Sequence, residues 1–333
     1  MENKTPAKTV KVNNVQALNW ALHDAMELDR SVIAFGEEVA DPQGGGICGV
    51  TAGLSVKFGD RVRSTPISEM AFVGAAVGAA LSGLRPVVEV MLMNFTAVCM
   101  DQITNHAAKL RFMSGGKTNV PLVIRTMTGS GFGTGGQHSD FLEAWFCHTP
   151  GLTVVMPSNP ADAYGLLLSA IFSDDPVVFV EHMPSYWTPG APPVRGERIP
   201  LGKARIARAG RDVTLIGYSR SANDIAAVAE KLAGDGIDAE VIDLRTVQPL
   251  DMETILASVT KTGRAVIVHE AVKSFGVGAE ISARLNEQLW GKLKSPVQRV
   301  ASKDCPVPFA RNLETAFVCS HDEIEAAVRS TLK

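Results

Sequence analysis

The feature that most constrains the fold is a series of short apolar runs, each separated from the next by a stretch with helical character. A run that is apolar at every position, rather than at alternate ones, is buried on both faces. Strands of that kind belong to a parallel sheet covered by helices on both sides. Five such runs read as strands in the first half: Ser31–Phe35, Pro86–Met91, Pro121–Thr126, Leu152–Met156 and Pro176–Glu181. Helices are expected from Asn14, from about Glu69 to Leu81, from about Ala97 to Met113, and from Pro160 to Phe172. In the first of these Val15, Leu18, Leu22 and Met26 share a face, and Asn14 can cap the free amides.

The alternation stops at Met183–Pro200, which holds five prolines and two glycines and can continue neither a helix nor a central strand. It resumes with strands near Val213–Tyr218, Ala239–Leu244, Ala265–His269 and Val297–Ala301. A final helix is announced by the capping-box spacing of Ser320 and Glu323. A length of 333 residues suits two domains. The expected division is 1–186, a Pro-rich linker over 187–200, and 201–333.

A formal net charge of -3 with no block of like charge marks no surface for nucleic acid or anionic membrane. The polar start lacks the apolar core of a signal peptide, and no later run is long enough to span a bilayer, so a cytoplasmic protein is expected. The five cysteines are odd in number and form no C-x-x-C pair, which points to buried free thiols rather than a disulfide framework or zinc site.

Two glycine motifs invite readings that their surroundings oppose. GFGTGG, Gly131–Gly136, satisfies G-x-G-x-x-G, but four residues separate it from the preceding strand. The acidic residue that a dinucleotide site needs about 20 residues on is also missing. Gly234–Gly236 spells the GDG that opens a magnesium and diphosphate motif, yet the downstream stretch TILASVTKTGRAVIV has no asparagine to complete the oxygen shell. That GDG follows the expected helix Ala222–Ala233 and reads as a helix terminus.

The stretch Ser64–Phe95 holds the strongest chemical signal. Glu69 stands at the start of a helix whose following residues are small or apolar. A helix start favours the ionised carboxylate while apolar burial favours the protonated form, which makes a tunable acid. Residue type alone leaves open whether Glu69 merely caps the helix.

The runs FGEEVA, TPISEMAFVGAAVGAALSGLRPVVE, DQITNHAAKLRFMSGG, GGQHSD, GLTVVMPSNPADAYGLL, DDPVVFVEH, VIDLRTVQPLD, FGVGAEI and PVPFA are together specific. From Lys11 almost to the end, the chain resembles the beta subunits of 2-oxo acid dehydrogenases, in the transketolase-like thiamine superfamily. GVTAGL, NHAAKLRFMSGGK followed by VIRTM, and VEH resemble the acetoin enzymes somewhat more than the pyruvate ones. The resemblance implies an α/β protein: a transketolase-like pyrimidine-binding domain with the thiamine-diphosphate-binding fold, then a smaller transketolase C-terminal domain. It also implies an α2β2 heterotetramer, with Mg2+ and the diphosphate held mainly by the alpha subunit.

The resemblance assigns Glu69 to a ring nitrogen of the cofactor's aminopyrimidine, where proton exchange generates the nucleophilic ylide. Phe95 matches an aromatic that packs on the pyrimidine face, with Met91 nearby. By pattern alone, either could be core. Glu38 matches a carboxylate near the cofactor, although Glu37 is adjacent and sequence does not say which points inward. His138, in the loop GSGFGTGGQHSD, matches a histidine lining the channel where substrate and the lipoyl group enter; the residue-level alternative is a surface histidine. His106, His148 and His182 also lie in the first half. Relatives hold potassium through backbone carbonyls matching Leu122, Ala170, Ile171, Ser173 and Asp175.

The implied reaction is decarboxylation of a 2-oxo acid or cleavage of acetoin, then reductive acylation of a lipoyl group on a dihydrolipoyl acyltransferase. Two alternatives stand beside it. One is a split transketolase-like biosynthetic enzyme with a non-lipoyl acceptor, and the other is a non-catalytic binding subunit.

Overall fold

The computed structural model of the protein describes residues 11–333. Most of the polar start, read above as lacking an apolar leader, lies outside them. In chain order the first half comprises α1 (Asn14–Leu28), β1 (Val32–Gly36), α2 (Leu54–Phe58), β2 (Val62–Ser64), α3 (Glu69–Leu81), β3 (Arg85–Leu92), α4 (Leu110–Met113), β4 (Val123–Thr128), α5 (Glu143–Cys147), β5 (Thr153–Val155), α6 (Pro160–Ile171) and β6 (Val177–His182). The second half comprises β7 (Arg205–Arg208), β8 (Val213–Gly217), α7 (Arg220–Ala233), β9 (Ala239–Asp243), β10 (Thr246–Gln248), α8 (Met252–Thr262), β11 (Ala265–Val272), α9 (Val277–Leu289), β12 (Gln298–Ser302), α10 (Arg311–Phe317) and α11 (His321–Thr331).

The first sheet has seven strands in the order β10-β5-β6-β4-β3-β1-β2. All its pairs are parallel except β10 with β5. The fully buried β4 and β6 are the runs in which no residue alternates outward, as their sequence requires. The second sheet, β12-β11-β8-β9-β7, is parallel apart from its antiparallel edge strand β7. An apolar cluster runs without interruption from Phe72, Val90 and Ile124 of the first half to Ile216, Ile242 and Ile281 of the second. The two sheets therefore share a core.

Four local expectations need correction. The cap of α1 is Asn13, which forms a reciprocal box with Gln16, because its backbone is extended while Asn14 is already helical. The helix expected over Ala97–Met113 is broken into a 3-10 stretch, Met93–Cys99, a π-helical stretch, Gln102–Ala107, and the short α4. The Ala108 amide reaches back to the Ile103 carbonyl, five residues away, and the Thr104 hydroxyl bonds to the Met100 carbonyl, so the ordinary ladder is interrupted. The second alternation does not stay apart: Thr246 and Gln248 of β10 pair with Val155 and Val154 of β5 in the first sheet. Lastly, only Cys99 and Cys319 are buried; Cys48 and Cys147 are half-buried and Cys305 is exposed, all five thiols being free.

The Gly234–Gly236 turn ends α7, with Gly236 at a left-handed φ of 81°. The Pro-rich segment is bound to the first half: Ile199 donates to the Gly165 carbonyl, and Arg195 pairs with Asp24 of α1. No helix among the described residues is long and apolar enough to cross a membrane.

Candidate active site

In a parallel α/β sheet the loops that leave the carboxyl ends of the strands are where side chains can converge. Three of those loops meet here. Beyond β1 come Glu37 and Glu38, beyond β3 the turn with Phe95, and beyond β4 the loop with His138.

Glu69 is the first residue of α3, behind a Ser68 whose side chain makes no cap. It is only 8% exposed, yet its carboxylate has no hydrogen-bond partner among the described residues. Its neighbours along the chain include the exposed apolar Ile67, 83% exposed, and Met70, 55% exposed. Of the adjacent pair beyond β1, Glu37 turns inward and Glu38 outward. Glu37 is buried with one carboxylate oxygen unpartnered, and burial together with the nearby Glu69, Glu38 and Glu89 carboxylates pushes its pKa up. Glu38 is exposed, at a left-handed φ of 58°.

Met91, near the end of β3, and Phe95 are both half-buried against the same apolar cluster. The Phe95 ring meets the His138 imidazole edge-on, with centroids 5.5 Å apart and planes at 76°. Asn94 ties their two segments together. Its Nδ2 donates to the Gly136 carbonyl and to Asp140 Oδ2, each at 2.9 Å, and its Oδ1 accepts from the Asp140 amide. The Thr128 hydroxyl closes the base of the loop on the Asp140 carbonyl at 2.7 Å.

Under this surface lies a buried charge network. Arg125 of β4 donates through Nε and Nη2 to both oxygens of Glu181 on β6, at 2.7 and 2.8 Å, and through Nη1 to Glu89 on β3 at 2.6 Å. Tyr186 donates its hydroxyl to the same Glu181. A Cβ at Gly46 would stand 3.5 Å from Glu89 Oε1, so the glycine-rich loop lies directly over the network.

The carbonyls matched to a potassium site are already engaged. Arg85 Nη1 donates to Ile171 at 3.3 Å and to Ser173 at 2.8 Å, while Leu122, Ala170 and Asp175 accept from Val177, Ser173 N–H and the Ser173 hydroxyl. Among the other histidines, His106 is exposed beside Asp101, whereas His182 is buried between the Ser185 hydroxyl and Glu270.

Two family models match: transketolase, pyrimidine binding domain, over residues 10–187, and transketolase, C-terminal domain, over 202–324. The acetoin:2,6-dichlorophenolindophenol oxidoreductase subunit beta of Cupriavidus necator is 46% identical, the match covering 95% of this chain and 96% of that one. The pyruvate dehydrogenase E1 component subunit beta of Staphylococcus epidermidis is 43% identical, covering 96% of this chain and 98% of that one. The chain belongs to the family of acetoin and pyruvate dehydrogenase beta subunits. This is a thiamine-diphosphate-dependent family of oxidoreductases with transketolase-like architecture. A solved structure described as a split gene transketolase, inactive beta4 tetramer, superimposes with a TM-score of 0.78 over 97% of this chain and 99% of that one, at 20% identity, and so supports the fold alone.

For a beta subunit of this family, the structure brings Glu69, Glu37, Phe95 and His138 to the carboxyl-end side of the first sheet. It leaves the carbonyls around Ser173 in a separate turn. Sequence reasoning missed Asn94, Arg125, Glu270 and Glu314. Asn94 adjoins Phe95 and could have been suspected as a loop tether, but the partners of the others are set by sheet order and were not visible locally.

Proposed function

We propose that this beta subunit supplies the aminopyrimidine side of a thiamine-diphosphate site that an alpha subunit completes. The observation that carries the reading is Glu69, a buried carboxylate at an uncapped helix start with no hydrogen-bond partner among the described residues. It is placed to accept a hydrogen bond from a donor that comes from outside. The apolar, exposed Ile67 and Met70 beside it suit burial against another polypeptide.

The residues present fit the aminopyrimidine ring, and when bound the cofactor supplies a nucleophilic carbon and an electron sink. Glu69 would hold and return a proton at a ring nitrogen of the bound aminopyrimidine. Phe95 and Met91 offer flat apolar contact, and Phe95 also backs the His138 imidazole. His138 donates to oxygen as charge develops at the substrate carbonyl. Glu38 faces outward, where the cofactor and partner would approach, while Glu37 lies buried near Glu69 with its pKa pushed up.

Mg2+ and the diphosphate are assigned to the alpha subunit. The assembly is an α2β2 heterotetramer in the cytoplasm, acting on acetoin or a 2-oxo acid and passing the acyl group to the lipoyl group of a dihydrolipoyl acyltransferase. The pyrimidine-binding domain is 1–186 and the C-terminal domain 201–333. Co-expression with the alpha subunit, followed by assay with acetoin and a panel of 2-oxo acids, tests the reading. Thiamine-dependent turnover by the pair and none by the beta chain alone is expected; turnover by the beta chain alone would refute it.

A further inference from the structure

The GFGTGG loop does bind an anion, but one carried by the protein itself. The Gly131 amide donates to Glu314 Oε1 at 2.6 Å, and the Gly133 amide donates to both oxygens of the same carboxylate, at 3.2 and 3.1 Å. One residue earlier, the Ser130 amide donates to Glu270 Oε1 at 2.8 Å, and the other oxygen of Glu270 meets His182 Nε2 at 3.1 Å. Consecutive amides turned to one side form a concave nest for negative charge, and such turns need left-handed residues. Gly131 and Gly133 provide them, at φ 138° and 67°. A carboxylate in a nest forms charge-assisted bonds, stronger than ordinary amide pairs.

Both carboxylates belong to the second half of the chain, Glu270 on β11 and Glu314 on α10. The loop belongs to the first half and ends in His138. Further along it, a Cβ at Gly135 would stand 2.4 Å from the Phe309 ring, so the second half also covers the stretch next to the histidine. Glu314 is only 3% exposed and Glu270 4%.

We propose that Glu314, seconded by Glu270, is a positioning residue: the second half of the chain sets the place of His138 by holding the amides of its loop. This rests on the function proposed above, in which His138 serves the reacting oxygen. It gives the C-terminal half a task in catalysis beyond assembly. Asn94 and Thr128 hold the loop at Gly136 and Asp140, on either side of His138, so Glu314 acts on the histidine through the Gly131–Gly135 arm that leads into it. Loss of the clamp should loosen that arm without unfolding the sheet and widen the range of positions the imidazole takes, and a misplacement on the order of 1 Å costs about a hundredfold in rate.

The test uses the assembled alpha–beta complex. Amide hydrogen exchange of peptides spanning Gly129–Asp140 is compared in the wild type, Glu314→Gln and Glu314→Ala, beside kcat and KM. Glu314→Ala is expected to exchange faster in this loop but not in β4, and to lose about 10- to 100-fold in kcat with KM little changed. Glu314→Gln, which keeps an acceptor oxygen, should fall between. If the alanine variant does not assemble, the glutamine variant is judged by the same two readouts. Unchanged exchange, or faster exchange with unchanged kcat, overturns the inference. A wild-type complex inactive on every substrate, whose loop still loosens in the variants, refutes the proposed function while the clamp stands.

Discussion

The imidazole of His138 stands edge-on to the ring of Phe95 at a centroid distance of 5.5 Å, although the two residues leave different strands of the sheet. The contact joins the segment assigned to the pyrimidine with the one assigned to the substrate oxygen. Asn94 holds both segments in register from beneath.

Phe95→Ala and His138→Ala should each lower kcat/KM in the assembled enzyme, and their effects should not add. An edge-to-face pair couples by about 0.5–1.5 kcal/mol, so the double variant should lose less than the product of the single losses by roughly 2- to 12-fold. Steady-state kinetics on the four proteins checks this. Strictly multiplicative losses would mean that the rings act independently.

Glu143 gives a pH-dependent stability. It is fully buried on α5, and burial pushes its pKa up to about 7 despite the hydroxyl of Tyr218, which donates to it at 2.5 Å across the boundary between the sheets. The folded state therefore holds a proton that the unfolded chain releases at about pH 4.3. Its stabilising contribution is complete below that pH and is lost as pH rises through about 7. Glu143→Gln keeps the neutral form at every pH, so its melting temperature should exceed the wild type's by a margin that widens from pH 5 to pH 8. Thermal unfolding across that range measures it; a constant margin would contradict the assignment.

The Arg125 network should dominate any comparison of ion pairs. Arg125 and Glu181 have side chains 2% exposed, and removing one partner leaves the other charged and buried. Arg125→Met is expected to cost about 3–5 kcal/mol. Arg284→Ala, which removes an exposed i,i+4 pair with Glu280, should change stability by no more than about 0.5 kcal/mol. Denaturant unfolding of the two variants separates the cases.

The strands were legible because burial on both faces leaves an unbroken apolar run, as in Val177–Val180. The start of α3 at Glu69 was legible because the composition changes sharply there. β10 was not: it is a three-residue strand whose partner, β5, lies about ninety residues earlier, and nothing in TVQ foretells that pairing. The broken segment before α4 looks like one helix by periodicity, and only the long Ala108–Ile103 bond shows otherwise. The GFGTGG amides of Gly131 and Gly133 hold a carboxylate of the same chain. That anion was unreadable, since Glu314 stands 183 residues beyond Gly131.

The role given to Glu69 is tested most directly at the cofactor, by the rate at which the proton on the thiazolium carbon of thiamine diphosphate exchanges with deuterium in the assembled complex. In Glu69→Gln, with cofactor still bound and the tetramer intact, that exchange should slow by about 10²- to 10⁴-fold relative to the wild type. Exchange at the wild-type rate would show that this carboxylate does not govern the proton, and the account would fail.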